Sequence, residues 1–294
     1  MRKFWSLLLA GLCLLLIGCN TTTKEQVPQE KLQVAASFYP MAEFAQAIGG
    51  NKLEVWTIVP DGVEPHDWEP SPRVLTRLGH AQLLVYNGMV EPWAEQALMA
   101  LEERKIQAVK AGADLYSCRG KNDPHVWISP KKAILEVQAI TKAICKADPD
   151  NSSYYQQNSR RYQEELVKLD LKLRQTVQRA KHKRFITAHA AFGHLAEDYG
   201  LEQLALRGLS PEAEPTAESL KTAAELIKTT GIHYIFFETL TSPKMTQILA
   251  AETGAGILVL DPIEGLDEEG RRNKMTYLEL MQRNIAVLEK ALNE

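Results

Sequence analysis

Residues 150–181 read DNSSYYQQNSRRYQEELVKLDLKLRQTVQRAK, and this stretch decides the architecture of the chain. Its large side chains recur at steps of three and four residues, which is the pattern of one buried helix face. These positions are Tyr155, Asn158, Tyr162, Leu166, Leu169, Leu173 and Val177. At 1.5 Å per residue, about thirty residues span roughly 45 Å, long enough to run the height of a two-lobed molecule. A flexible linker would be rich in Gly, Ser or Pro instead. We therefore predict a rigid connecting helix over residues 150–182.

On each side of this helix, short apolar runs alternate with helical patterns. Such alternation is typical of βαβ units and parallel sheets. We therefore predict an α/β fold with two lobes, residues 32–149 and 183–294, each with a parallel-type sheet flanked by helices. The strand candidates are Leu32–Ser37, Leu53–Val59 and Leu83–Asn87 in the first lobe, and Phe185–Thr187, Gln203–Leu206, Tyr234–Phe237 and Ile257–Leu260 in the second.

The N-terminus carries an export signal. Arg2 and Lys3 precede an apolar run over residues 4–17, which is short for a membrane span but suits a signal peptide. The run ends in LIGC, which resembles the bacterial lipobox and implies cleavage before Cys19 and a diacylglycerol group on its thiol. We predict a lipoprotein signal peptide over residues 1–18 and a lipidated tether over residues 19–31, which anchor the protein on the extracytoplasmic face of the cell membrane. The alternative is an ordinary cleaved signal peptide with a chance cysteine.

The composition is that of a globular protein without an electrostatic footprint for nucleic acid. Hydrophobic residues make up 45% of the chain, charged residues 24%, and the formal net charge is −3. Loss of Arg2 and Lys3 with the signal peptide makes this charge −5. Besides Cys19, the mature chain keeps Cys118 and Cys145, which outside the cytoplasm either pair as a disulfide or stay free.

Two stretches of the first half repeat one pattern: PHDW at residues 65–68 and PHVW at residues 124–127. In each, a proline stiffens the backbone before a histidine, and a tryptophan two residues later can close an apolar wall beside the imidazole. A single loop histidine is more often a capping or packing group than a metal ligand. The repetition favours metal ligation by His66 and His125, provided that further ligands come from elsewhere in the chain.

The second half offers those further ligands. His189 stands just past the strand candidate Phe185–Thr187, and Asp261 and Glu264 follow the candidate Ile257–Leu260. Ligands of open parallel sheets sit outside the carboxyl ends of the strands, so these groups predict a site in the cleft between the lobes. Three imidazoles and one carboxylate suit tetrahedral Zn²⁺, whereas Mn²⁺ favours more oxygen ligands. We therefore expect zinc first and manganese next.

No competing catalytic motif is present. The chain has no G-x-S-x-G elbow, P-loop, GxGxxG fingerprint or H-E-x-x-H helix, so any catalysis would depend on the metal. The remaining histidines have contexts typical of packing or surface groups, except that His194, five residues after His189, could support the site from behind. These histidines are His80, His182, His194 and His233.

Four segments together resemble the substrate-binding lipoproteins of bacterial ABC importers for zinc and manganese. They are GVEPHDWEPS (62–71), DPHVWISP (123–130), TAHAAFG (187–193) and SPEAEP (210–215), with YNGMVEPW (86–93) as a further match. The resemblance covers essentially the whole mature chain from about Leu32. It implies two α/β lobes bridged by a rigid helix, a metal ion between them, and delivery of that ion to a membrane permease powered by a cytoplasmic ATPase.

The same resemblance implies a ligand set. Metal ligation maps onto His66, His125 and His189, and a histidine at the third position, where the manganese branch typically has glutamate, favours zinc. Glu264 matches the fourth ligand of zinc-type members, and Asp261 matches the aspartate of some others. We expect Glu264 rather than Asp261 to be the fourth ligand.

These observations predict a non-catalytic, monomeric receptor that captures a divalent transition metal, zinc before manganese. The segment before His125, residues 115–122, is short and holds no histidine. The long metal-gathering loop that many zinc receptors have at this place is therefore absent. Binding needs neutral imidazoles, so affinity should fall below roughly pH 6.5. Two alternatives remain: a secreted zinc-dependent hydrolase, and a surface adhesin that carries a metal site.

Overall fold

The computed structural model describes residues 30–294, so the predicted signal peptide, Cys19 and most of the tether lie outside the described residues. A first parallel sheet is formed by β1 (Leu32–Ala36), β2 (Leu53–Thr57), β3 (Leu83–Tyr86) and β4 (Gln107–Lys110). A second parallel sheet is formed by β7 (Arg184–Thr187), β8 (Glu202–Ala205), β9 (Tyr234–Phe237) and β10 (Gly256–Val259). Between them in the chain lies a short antiparallel hairpin of β5 (Ser117–Cys118) and β6 (Lys121–Asn122).

Helices connect the strands and cover the sheets. In the described residues they are α1 (Tyr39–Gly49), α2 (Pro72–Leu78), α3 (Trp93–Ala100), α4 (Pro130–Ala147), α5 (Ser152–Arg179), α6 (Gly193–Tyr199), α7 (Ala217–Thr230), α8 (Lys244–Thr253), α9 (Glu268–Asn273) and α10 (Tyr277–Asn293). Short 3₁₀ helices occur at Gly50–Lys52, Glu102–Arg104, Val126–Ile128 and Pro149–Asn151. We call the first sheet with α1–α4 the first lobe, and the second sheet with α6–α10 the second lobe.

The two sheets share one topology. The strand order is β2-β1-β3-β4 in the first and β10-β9-β7-β8 in the second. If the four strands of each sheet are numbered along the chain, the order is 2-1-3-4 in the first sheet and 4-3-1-2 in the second. The second order is the first one read from the opposite edge of the sheet. In both sheets the chain therefore changes direction between its first and third strands, and such a switch opens a crevice at the carboxyl ends of the strands.

Helix α5 is the connecting helix. Its 28 residues rise about 42 Å at 1.5 Å per residue. Leu166, Leu169 and Leu173 are buried, whereas Leu171 on another face is 52% exposed. The buried face packs on α1 and α4 of the first lobe and on α10 of the second, so this one helix belongs to the core of both. The prediction of an α/β fold with two parallel sheets and one long helix is confirmed.

One hydrophobic core runs from the first lobe into the second. Hydrogen bonds cross the same boundary: the Tyr277 hydroxyl donates to the Trp127 carbonyl at 2.5 Å, and the Tyr39 hydroxyl donates to the Met275 carbonyl at 2.7 Å. Residues 31–294 accordingly form one compact unit. A core shared in this way opposes a wide hinge opening between the lobes.

Two further points concern the cysteines and the membrane. Cys118, on β5, and Cys145, near the end of α4, are both free thiols, so the disulfide considered from the sequence is not formed. Among residues 30–294 no helix has the length and apolar character needed to span a bilayer.

Candidate metal centre

Four loops bring the candidate ligands together. His66 lies between β2 and α2, and His125 immediately precedes the 3₁₀ helix before α4. His189 is two residues past β7, and Glu264 lies in the loop after β10. Three of these loops leave the carboxyl ends of sheet strands, which is where open α/β sheets bind ligands.

The four side chains form one cluster, with a ligand atom from each lying within 4.8 Å of the others. Nε2 of His66 lies 3.1 Å from Nε2 of His125 and 3.1 Å from Oε1 of Glu264. The same carboxylate oxygen lies 3.3 Å from Nε2 of His125 and 3.7 Å from Nε2 of His189. The first lobe therefore supplies two imidazoles, and the second supplies an imidazole and a carboxylate.

Four of the six separations among the donor atoms are close to the edge length of a tetrahedron around zinc. With Zn–N and Zn–O bonds of about 2.0–2.1 Å, a regular tetrahedron has edges of about 3.3–3.4 Å. The measured values of 3.1, 3.1, 3.3 and 3.7 Å lie on both sides of that length. Nε2 of His189 is buried without a hydrogen-bond partner, as expected for a lone pair directed at a cation. The donor set and its spacing fit Zn²⁺, whereas Ca²⁺ would need about six to eight oxygens.

The cluster is almost closed to solvent. The side chains of His125 and His189 are 0% exposed and that of Glu264 is 1% exposed, whereas His66 retains 10%. His66 is thus the ligand through which the site meets the solvent.

Two carboxylates behind the imidazoles set their tautomers. Oδ1 of Asp123 lies 2.7 Å from Nδ1 of His125, and Glu238 contacts Nδ1 of His189. Each carboxylate accepts the Nδ1 proton, so loss of the second proton from the ring leaves the lone pair on Nε2, facing the cluster. Glu238 directly follows β9, which pairs with β7, so the strand order places it beside His189.

These contacts also shift the pKa values of the ligands. Burial alone would lower the pKa of His189, but the carboxylates of Glu238 and Glu264 outweigh it and raise the pKa to about 10. Burial also opposes protonation of His125, yet hydrogen bonds to Asp123 and Glu264 raise its pKa. Burial would raise the pKa of Glu264, whereas hydrogen bonds from the three histidines hold it well below its usual range. A cation must therefore displace protons even at neutral pH, and the pH threshold moves above the 6.5 of a free imidazole.

Asp261 lies outside this cluster and shapes the loop that carries Glu264. Its Oδ1 accepts hydrogen bonds from the Ile263 backbone N–H at 2.7 Å and from the Thr239 hydroxyl at 3.3 Å. Ile263 has a φ of 56°. This left-handed conformation costs a β-branched residue about 1–3 kcal/mol. Asp261 thus holds a strained turn that precedes Glu264.

Trp127 braces the ligands of both lobes. Its ring lies 5.3 Å from the ring of His125, and its Nε1 donates to the Pro262 carbonyl at 2.8 Å, in the loop of Glu264. Trp68, the counterpart of Trp127 in the repeated motif, packs instead against Trp93 at 5.7 Å. The two halves of the repeat are therefore alike in their histidines and different in their tryptophans.

Comparison with known proteins identifies the family. The sequence profile described as "Zinc-uptake complex component A periplasmic" matches residues 34–291. The chain belongs to this family. Among relatives of this zinc-uptake component, the high-affinity zinc uptake system protein ZnuA of Bacillus subtilis is 38% identical over 315 residues, with 99% of each chain covered. The zinc-binding lipoprotein AdcA of Streptococcus pneumoniae is 34% identical over 313 residues, and the match covers 100% of this chain but 62% of AdcA.

Solved structures agree with this assignment. The Zn(II)-bound ZnuA-like domain of AdcA from Streptococcus pneumoniae matches with a TM-score of 0.81 at 36% identity, covering 90% of this chain and 100% of that one. The laminin-binding protein Lmb of Streptococcus agalactiae, described as bifunctional with adhesin and metal-transporting activity, matches with a TM-score of 0.82 at 29% identity and covers 90% and 100%. The predicted family resemblance is confirmed, and the similar AdcA domain was solved with Zn(II) bound.

Sequence reasoning did not single out Asp123 or Glu238. Both had a local signal: Asp123 stands two residues before His125, and Glu238 directly follows the buried strand YIFF. A carboxylate beside a ligand histidine in the chain, or at the end of a strand next to one, is the feature to search for.

Proposed function

We propose that this protein captures one Zn²⁺ ion as cargo at His66, His125, His189 and Glu264 and delivers it to the permease of an ABC importer. The observation that carries the proposal is the close approach of the four donor atoms, with four of their six separations at 3.1–3.7 Å and all within 4.8 Å, which suits a tetrahedral zinc ion. All four ligands come from one chain, which supports a monomeric receptor. A cytoplasmic ATPase would power transport, and lipid on Cys19 would keep the receptor on the extracytoplasmic face of the membrane.

We infer that the protein binds zinc without catalysis. A catalytic zinc keeps one coordination position for water or substrate, with a general base nearby. Here four protein side chains would fill all four positions of a tetrahedron, and Asp123 and Glu238 are engaged behind the ligands. A hydrolase would lose activity together with zinc in the variant His66→Ala, whereas a receptor would lose only zinc binding and show no hydrolysis in the parent protein.

Release to the permease is proposed to act on the loop of His66. This ligand is the most exposed of the four, and its loop is held by local contacts, such as the His66 N–H that donates to the Glu64 carboxylate at 3.1 Å. Of this loop, Val63 and Trp68 pack on the edge of the shared core, so its displacement would open the tetrahedron while the centre of that core stays in place.

Competitive titration of the metal-stripped mature protein tests the proposal. Zinc and manganese are titrated against a chromophoric chelator, and we expect zinc to bind far more tightly than manganese. His66→Ala should lose this binding, whereas His80→Ala, at an exposed position of the first lobe, should keep it. Tight manganese binding with weak zinc binding would overturn the assignment of the cargo.

Surface adhesion is a second candidate function, favoured by the structural likeness to a laminin-binding protein described as both adhesin and metal transporter. Surface plasmon resonance of the mature protein over immobilised laminin tests it. Saturable binding supports the second role, and its absence at micromolar protein removes it.

A further inference from the structure

A second group of side chains that can ligate a metal lies close to the cluster of His66, His125, His189 and Glu264 and shares no residue with it. Cys118 of β5, together with His194 and Glu197 of α6, places one ligand atom from each residue within 4.8 Å of the others. Cys118 comes from the β5–β6 hairpin, which precedes α4, whereas the other two residues come from a helix of the second lobe. A thiol, an imidazole and a carboxylate are all donors that zinc accepts.

His194 has one ring nitrogen free to ligate a metal. It is fully buried, its Nε2 donates to the Asp123 carbonyl at 2.9 Å, and its Nδ1 is buried without a hydrogen-bond partner. Donation from Nε2 leaves the lone pair on Nδ1, and metal-bound histidines commonly donate their other N–H to a backbone carbonyl in this way. Burial also lowers the pKa of His194, which keeps the imidazole neutral and able to ligate. A buried nitrogen acceptor without a partner is costly, and a bound cation would satisfy it.

The Cys118 thiol is buried and lies near the carboxylates of Asp123 and Glu197 and the ammonium group of Lys132. Burial raises the pKa of its thiol to about 12, and the nearby carboxylates of Asp123 and Glu197 add to the effect. A divalent ion would offset this negative field and displace the thiol proton. Glu197 is exposed and gives the group access to solvent, while the Arg119 backbone N–H donates to its Oε1 at 3.1 Å and holds the carboxylate in place.

We propose that Cys118, His194 and Glu197 form a second metal site that takes Zn²⁺ or another divalent ion of similar softness, with water as the fourth ligand. The site is distinct from the cargo site but adjoins it through Asp123, whose carboxylate holds His125 and whose carbonyl accepts from His194. A metal ion there would tie the β5–β6 hairpin to α6.

Cobalt substitution of the mature protein, with thiols kept reduced, tests the proposal. Only a thiolate ligand gives Co²⁺ a sulfur-to-metal charge-transfer band in the near ultraviolet, and the cargo site contains no sulfur. We expect the band to develop as cobalt binding reaches two ions per chain. Cys118→Ser should abolish the band and leave one bound ion, and His194→Gln should do the same. Cys145→Ser, which removes the other free thiol, should change neither result.

Absence of the band at excess cobalt in the parent protein, or a band that Cys118→Ser retains, would overturn the proposal. Glu197→Gln provides a second test at an exposed position, and it keeps a side-chain oxygen that can accept the hydrogen bond from the Arg119 N–H. It should weaken binding of the second ion while the circular dichroism spectrum stays unchanged, and equal affinity in this variant would count against the site. Because the band requires sulfur, its presence does not depend on whether the cargo site binds zinc.

Discussion

At the residue scale, the cargo site is divided between side chains that would hold the ion and side chains that hold the ligands. Glu264 presents a carboxylate oxygen to all three imidazoles at 3.1–3.7 Å. Asp261, three positions earlier, uses its carboxylate on the backbone of the same loop. Asp123 and Glu238 fix the imidazoles from behind. The four acids therefore have three different roles, and removal of an acid should have a consequence that depends on its role.

Glu264→Ala should weaken zinc binding much more than Asp261→Ala. The first change removes the only carboxylate in the donor set and leaves three imidazoles, whereas the second loosens a turn. We expect Asp261→Ala to lose about 10- to 100-fold in affinity, the effect typical of residues that position ligands, and Glu264→Ala to lose more. Chelator competition measures both, and a larger loss in Asp261→Ala would reverse the two roles.

Zinc binding should release protons at neutral pH, because the pKa of His189 is raised to about 10 and that of His125 is also raised. Apparent affinity should therefore keep rising between pH 7 and 10, by up to about tenfold per pH unit for each proton displaced. Without metal, the same shift stabilises the fold fully below the unfolded pKa near 6.5, and this stability is lost as the pH rises through 10.

Calorimetry in buffers of different ionisation enthalpy counts these protons. Glu238→Gln removes the charge that raises the pKa of His189, so it should release fewer protons at pH 7.5 and flatten the rise in affinity above that pH. Glu218→Gln, the same change at an exposed position of α7, is the control. Equal proton release in the parent protein and Glu238→Gln would show that another group carries the proton.

At the element scale, the periodic parts of the chain were predictable and the geometry between loops was not. Helix α5 was predictable from its regular apolar face, and every strand of the second sheet overlaps a strand candidate of the sequence analysis. Strand β4 was missed because QAVK is a short edge strand with two exposed residues, so it shows no clear alternation.

The candidate site, too, was predictable in its residues and not in the geometry that relates its loops. Three histidines and two acids could be named because they stand near strand ends or in a repeated motif. The roles of Asp261 and Glu264 depend on the left-handed turn at Ile263, and the partnership of His189 with Glu238 depends on the pairing of β7 with β9. Neither relation is a local pattern, so neither was visible in the sequence.

Helix α5 offers a matched pair of substitutions that tests its role in the core. Leu173 is fully buried, whereas Leu171 is 52% exposed on the same helix. Leu173→Ala should lower the free energy of unfolding by about 2–5 kcal/mol because it leaves a cavity. Leu171→Ala should change it by no more than about 0.5 kcal/mol. Urea denaturation of the metal-free protein measures both, and equal effects would contradict the packing described for this helix.

At the scale of the whole molecule, the lobes behave as one body because they share a core and the helix that crosses it. Capture and release of the ion should therefore involve the ligand loops rather than a large rotation of the lobes. The polar links at the boundary, such as the Trp127 Nε1–H to the Pro262 carbonyl, fix the loops of Glu264 and His125 relative to each other. The loop of His66 is left as the part with most freedom.

Hydrogen exchange with and without zinc tests this view. We expect zinc to slow exchange in residues 60–70, with smaller changes around residues 261–266 and none in the centre of α5. Protection spread over an entire lobe would indicate a domain movement and contradict the account.

The most direct test of the central claim is zinc K-edge X-ray absorption of the mature protein loaded with one equivalent of zinc. We expect four nitrogen or oxygen ligands at about 2.0–2.1 Å, with the multiple scattering of imidazoles and no sulfur. A sulfur shell near 2.3 Å, or a first shell of five or six ligands, would contradict the assignment of His66, His125, His189 and Glu264 as the site that zinc fills first.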